Sequence, residues 1–155
     1  MVNRLAESAS DYLRLHAQQP VDWWEWGDDA LAEARRRDVP ILLSIGYATC
    51  HWCHVMSDES FSDTEVGKLI NHHFVAVKVD RQQLPDVDAA FMTATQAMNN
   101  GAGGWPMTLF LTPEAMPFFA GTYFPPEPQP GQPSLTQVLQ AMIDGWKNRK
   151  DRLTA

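Results

Sequence analysis

The sequence predicts a single α/β domain, in which a central mixed β-sheet is flanked by helices to give three layers and is preceded by extra N-terminal helices. Three observations carry this expectation. Residues 41–45, Ile-Leu-Leu-Ser-Ile, form a short continuous apolar run suited to a buried central strand. Residues 74–80 alternate and are rich in β-branched side chains, so with the intervening helical pattern they complete a β-α-β unit. Residues 107–111 and 118–124 are two further strand-like runs, joined by Thr112-Pro113-Glu114-Ala115, whose composition is that of a hairpin turn.

The remaining elements fit around these strands. Apolar spacing predicts helices over residues 8–16 and 30–37, with Asp28 or Asp29 capping the second. The connection at residues 20–27 carries Trp23, Trp24 and Trp26, which read as cover for a core edge rather than as a ligand shelf. A helix is predicted from Cys50 to Met56, continued or followed by a second over residues 62–73. Another runs over residues 85–98, with Pro85 in its first turn and Asp86 and Asp88 as N-terminal acids in a capping role. Gly101-Ala102-Gly103-Gly104 ends it. Five prolines make residues 125–133 an extended connector, and a last helix over 134–153 is capped by Ser134. The expected organisation is therefore one domain over 1–155, with a helical extension at 1–39 and a core at 40–124.

A chain of 155 residues with six Trp and seven Phe can bury a core without covalent staples. Its formal charge of −7 opposes attraction to phosphate backbones, and its basic run, Arg35-Arg36-Arg37, falls at a helix end where it complements the dipole. No signal-like apolar core opens the sequence and no stretch reaches the roughly 18 apolar residues of a membrane span. The expectation is a cytoplasmic protein without nucleic-acid or membrane partners. In that reducing compartment a cycling disulfide is more plausible than a structural one.

Both cysteines of the chain lie in Cys50-His51-Trp52-Cys53, directly after the apolar strand and at the start of a helix. Free N–H groups and the positive dipole end at that position stabilise a thiolate, so Cys50 is assigned attack. Cys53, one turn later on the same face, is assigned resolution of the mixed disulfide. His51 and Trp52 would tune the thiolate. Two rival chemistries share these residues. Cys50-His51-Trp52-Cys53-His54 satisfies the c-type haem pattern with His54 as axial ligand, but that attachment requires export. Zinc lacks a second Cys or His pair at finger-like spacing, and His72-His73 lies across a predicted helix. No cofactor or metal is expected. Downstream, Trp105-Pro106 precedes a strand after a Gly-rich approach, where either a cis or a trans proline fits.

The strand, the Cys-x-x-Cys and Trp105-Pro106 together resemble the thioredoxin superfamily. More closely, the chain resembles the thioredoxin-like domain family of spermatogenesis-associated protein 20 and its bacterial relatives. That resemblance rests on Asn3-Arg4-Leu5, Ser10, Tyr12-Leu13, His16-Ala17, Pro20-Val21-Asp22-Trp23 and Ser44-Ile45-Gly46-Tyr47. It continues through Cys50 to Met56, Glu59-Ser60-Phe61, Val77-Lys78-Val79-Asp80-Arg81, Gly103-Gly104-Trp105-Pro106, Phe110-Leu111-Thr112-Pro113 and Gly121-Thr122-Tyr123-Phe124-Pro125. It implies a thioredoxin fold, an exposed nucleophilic Cys50, a resolving Cys53 and a cis Pro106. Thioredoxin carries an acid six positions before its first cysteine; here Ser44 stands there, leaving His51, His54, Glu59 or water to move the proton. Relatives usually continue into a large helical domain, which this sequence does not include, so such a domain or partner chain is an expected associate.

The expected function is thiol-disulfide exchange on protein or small-molecule disulfides, with Trp105 and Pro106 positioning the substrate strand and an unassigned electron donor. The alternative is a non-catalytic thioredoxin-fold module that docks a partner or a larger helical enzyme domain.

Overall fold

The computed structural model describes residues 2–154, with side chains as far as Asn148. A five-stranded sheet has the order β1-β3-β2-β4-β5, formed by Trp23–Glu25, Ile41–Gly46, Val75–Asp80, Met107–Leu111 and Pro117–Gly121 as β1 to β5. β3 runs parallel to both β1 and β2; β4 is antiparallel to β2 and to β5. The α-helices are α1 (Asp11–Arg14), α2 (Asp28–Arg37), α3 (His51–Asp58), α4 (Thr64–His73), α5 (Pro85–Met98) and α6 (Leu135–Thr154).

Period-2 alternation along the strands sorts the core into two faces. Ile41, Leu43, Ile45, Val75, Val77, Val79, Met107, Leu109 and Leu111 pack towards α2 and α5. Leu42, Ala76 and Phe110 point the other way, into a cluster built with Tyr12, Leu13, Trp23, Met56, Phe61, Ile70 and the apolar stripe of α6. This second face also carries Ser44 and Lys78, opposite each other in the β2-β3 register.

The residues 20–27 connection departs from expectation, because Trp23 and Trp24 form part of an edge strand, β1, with Trp26 just beyond it. Trp23 is fully buried against Phe61, with ring centroids 5.0 Å apart. Trp24 lies under the Arg4 guanidinium, and Trp26 meets Phe91 edge-on. The helix expected at 8–16 is shorter, since the Ser10 side chain accepts from the Leu13 amide and starts α1 only at Asp11. Beyond Arg14 the chain tightens into i to i+3 turns through His16 and Ala17.

Asp28 and Asp29 do not cap α2. Gly27 occupies the cap, and both acids lie in the first turn, where the dipole favours them. At the other end of the chain, the Ser134 hydroxyl accepts from the Gln137 amide while Gln137 accepts from the Ser134 amide, a reciprocal capping box that starts α6. Residues 62–73 form a segment separate from α3: a short 3-10 turn, Ser60–Ser62, intervenes, and Asp63 caps α4.

Candidate active site

β2 delivers the chain to the N-terminus of α3, and Cys50 is the N-cap of that helix. Cys50 and Cys53 are joined as a disulfide with Cα atoms 5.2 Å apart. Cys50 Sγ accepts a hydrogen bond from the Cys53 amide at 3.2 Å, so the first turn of the helix already donates to the sulfur assigned attack. Cys50 is not exposed as the resemblance implies. Drawn into that turn and bonded to Cys53, it is only 4% exposed, although Ala48, Thr49, His51 and Trp52 around it are exposed.

The expected tuning residues separate into two groups. His51 and Trp52 sit at the rim, ring against ring at 5.2 Å, and His54 Nε2 donates to the Ala48 carbonyl, bracing the turn that precedes Cys50. Glu59 lies at the far end of α3, roughly 13 Å along the helix from Cys50 at 1.5 Å per residue. It accepts from the Tyr123 hydroxyl at 2.5 Å, and the Tyr123 ring packs on Trp52 at 4.9 Å. Glu59 therefore reaches the Cys-His-Trp-Cys segment through an aromatic relay. Burial and the Glu59 carboxylate push the Tyr123 phenol up to about 12.

The Trp105–Pro106 peptide is cis. The β2-β4 register ends at Ile45 opposite Met107, so one step further sets Pro106 beside Gly46, whose missing side chain leaves room for Cys53 Sγ. Trp105 is held from three sides: its indole N–H donates to Asp88 Oδ1 at 2.7 Å, Arg81 lies 4.2 Å over its ring, and Tyr47 meets it edge-on. Asp88 is buried and also accepts from Arg81 Nε at 3.3 Å. Asp88 is thus an anchor for the Trp105 loop and not a helix cap; α5 follows Leu84 with no side-chain cap at all.

Polar side chains quoted above only as part of the resemblance meet on the sheet face that carries Ser44 and Lys78. Lys78 is 2% exposed, donates to Ser44 Oγ at 3.0 Å, and places its ammonium 4.8 and 4.7 Å from the Trp23 and Phe61 rings. Burial pulls its ionisation down to about 7. Ser10 donates to Asp80 Oδ2 at 2.7 Å. His16 is driven to about 3 by burial first and by Lys78 second. The one cue in sequence was a lysine inside an otherwise apolar strand pattern. Among the described residues, no three His, Cys, Asp or Glu side chains converge as a metal-ion set.

The family model Thioredox_DsbH, described as a protein of unknown function, DUF255, matches residues 2–155. The chain belongs to this family. Spermatogenesis-associated protein 20 of Rattus norvegicus is 50% identical over 151 residues, covering 97% of this chain and 19% of the relative. The Homo sapiens protein of the same name is also 50% identical over 151 residues, with the same coverage. The chain therefore spans about a fifth of the length of these Thioredox_DsbH relatives. Among solved structures, a DsbH oxidoreductase is similar with a TM-score of 0.60 at 19% identity, covering 92% of this chain and 95% of the other. A thioredoxin from Thermus thermophilus gives 0.55 at 20% identity, covering 81% and 90%. The family member described here has the thioredoxin fold.

Proposed function

We propose that this domain is a thiol-disulfide oxidoreductase acting on protein disulfides, with Cys50 as nucleophile, Cys53 as resolving thiol, and Trp105 with Pro106 positioning the substrate chain. The observation that carries the reading is the Cys50–Cys53 disulfide at the N-cap of α3 in a thioredoxin fold. In the reducing direction, a Cys50 thiolate attacks a substrate disulfide, forms a mixed disulfide and expels one substrate thiolate. Cys53 then attacks the Cys50 sulfur, regenerating the intramolecular bond and releasing the second thiolate, so two electrons pass to the substrate. The reverse sequence oxidises a substrate dithiol, and a redox titration against a glutathione buffer is the measurement that distinguishes the two directions.

Replacing Cys53 with Ser removes the resolving step. Covalent adducts on Cys50 that dithiothreitol releases are the expected result. Absence of any adduct, together with no reducible bond in a redox titration of the unaltered protein, would overturn the reading.

A second reading, a non-catalytic docking module, draws on Trp52, which is 51% exposed beside the dithiol. A Cys50→Ala protein that retains cellular function, while Trp52→Ala loses it, favours docking.

A further inference from the structure

One hydroxyl under Cys53 has no structural explanation. Tyr12 is 2% exposed, and among the described residues its hydroxyl oxygen is the buried side-chain polar atom that lacks a hydrogen-bond partner. A phenol taken out of water and left unpaired costs free energy that surrounding packing must offset, so its position calls for a partner that exists in some other state of the site. Gly46 shows which partner. At the point its Cβ would occupy, the Tyr12 hydroxyl and Cys53 Sγ both lie inside 3.0 Å. A side chain at this position would collide with both atoms.

We propose that the Tyr12 hydroxyl is the hydrogen-bond donor that receives the negative charge on Cys53 Sγ when the Cys50–Cys53 bond opens. The inference rests on the thiol-disulfide exchange reading. An incoming thiolate bonds to Cys50 Sγ, the Cys50–Cys53 bond breaks, and its electron pair departs on Cys53 Sγ as a thiolate. Sulfur in a disulfide carries no charge and is a weak acceptor; a thiolate is a strong one. The hydrogen bond therefore belongs to the opened state and lowers the cost of reaching it. Tyr12 donates without surrendering its proton, because burial and the Asp80 carboxylate push its ionisation upward. Of the other ionisable groups, His16 meets the Tyr12 ring at 4.7 Å and Asp80 of β3 acts on the Tyr12 hydroxyl, while Lys78 of β3 and His54 of α3 act on His16. All of them persist when only the hydroxyl is removed.

In a Cys50→Ser protein, Cys53 is the sole thiol and its ionisation is read directly from thiolate ultraviolet absorbance. Adding Tyr12→Phe should raise the Cys53 pKa by about one pH unit, the size of a charge-assisted hydrogen bond. In the intact dithiol, Tyr12→Phe should slow the opening of the Cys50–Cys53 bond by glutathione several-fold, because the departing sulfur loses its donor. An unchanged Cys53 pKa overturns the proposal even where exchange activity persists, whereas failure of the unaltered protein to exchange disulfides sinks only the oxidoreductase reading. Should Tyr12→Phe fail to fold, isotope-labelled tyrosine in the Cys50→Ser protein decides the matter by nuclear magnetic resonance. The Tyr12 ring signal must move as Cys53 titrates, and an unmoved signal overturns the proposal.

Discussion

Lys78 shows what a single residue costs and what it reveals. Its ammonium is buried away from water, with Ser44 Oγ and two aromatic faces as its partners among the described residues, so the neutral form is favoured and the ionisation falls from 10.5 to about 7. Between those values the unfolded chain holds a proton that the folded one has released. Stability therefore rises with pH across this window, by roughly 1 kcal/mol per pH unit from this group, and declines towards pH 7. Lys78→Met should flatten that slope in denaturant titrations compared at pH 7 and pH 10. An identical slope in both proteins would show that Lys78 is hydrated. The alternation of residues 74–80 identified the strand but was silent on its second face. Burial of Lys78 follows from Trp23 on β1 and Phe61, neither adjacent in sequence, so no local pattern could have shown it. Cys50 and Cys53, by contrast, were legible because their chemistry depends on a spacing of three and a helix start.

At the scale of elements, the β-α-β unit, the hairpin and the two long helices were readable because each has its own period and punctuation. Asp88 was not. As an acid near the start of α5 it fits a capping role, and only the return of the chain at Trp105, 17 residues later, gives it an indole N–H to accept from. Asp88→Ala should free the Trp105 loop while leaving the dithiol intact. The expected result is a KM for peptide disulfides raised several-fold, with the Cys50–Cys53 potential unchanged in a glutathione titration. A shifted potential with unchanged KM would instead place Asp88 in tuning the sulfurs.

For the whole molecule, β1 decides how the sheet closes. Three residues from the segment before β2 pair with β3 in parallel and turn it from an edge strand into an interior one. The segment before residue 40 packs into the core of the sheet, because Leu5, Tyr12, Leu13, Val21 and Trp23 belong to the same apolar cluster as Leu42 and Phe110. Trp23→Ala should therefore act globally, lowering unfolding free energy by about 3–5 kcal/mol. Hydrogen exchange should then quicken along β3 and β2 together. Loss of protection restricted to residues 2–26 would mean that the N-terminal segment is an independent unit.

The two outer strands end the sheet by different means. β1 is only three residues long, while β5 begins at Pro117, breaks register opposite Phe110 and Leu111, and has its Ala120 carbonyl occupied by the Asn99 side chain. Neither margin offers a long flat template to a passing strand. Self-templated stacking is therefore disfavoured, and a complex recovered from the Cys53→Ser protein that survives denaturant yet dissolves in reductant reports sulfur bonding and not adhesion of one sheet to another.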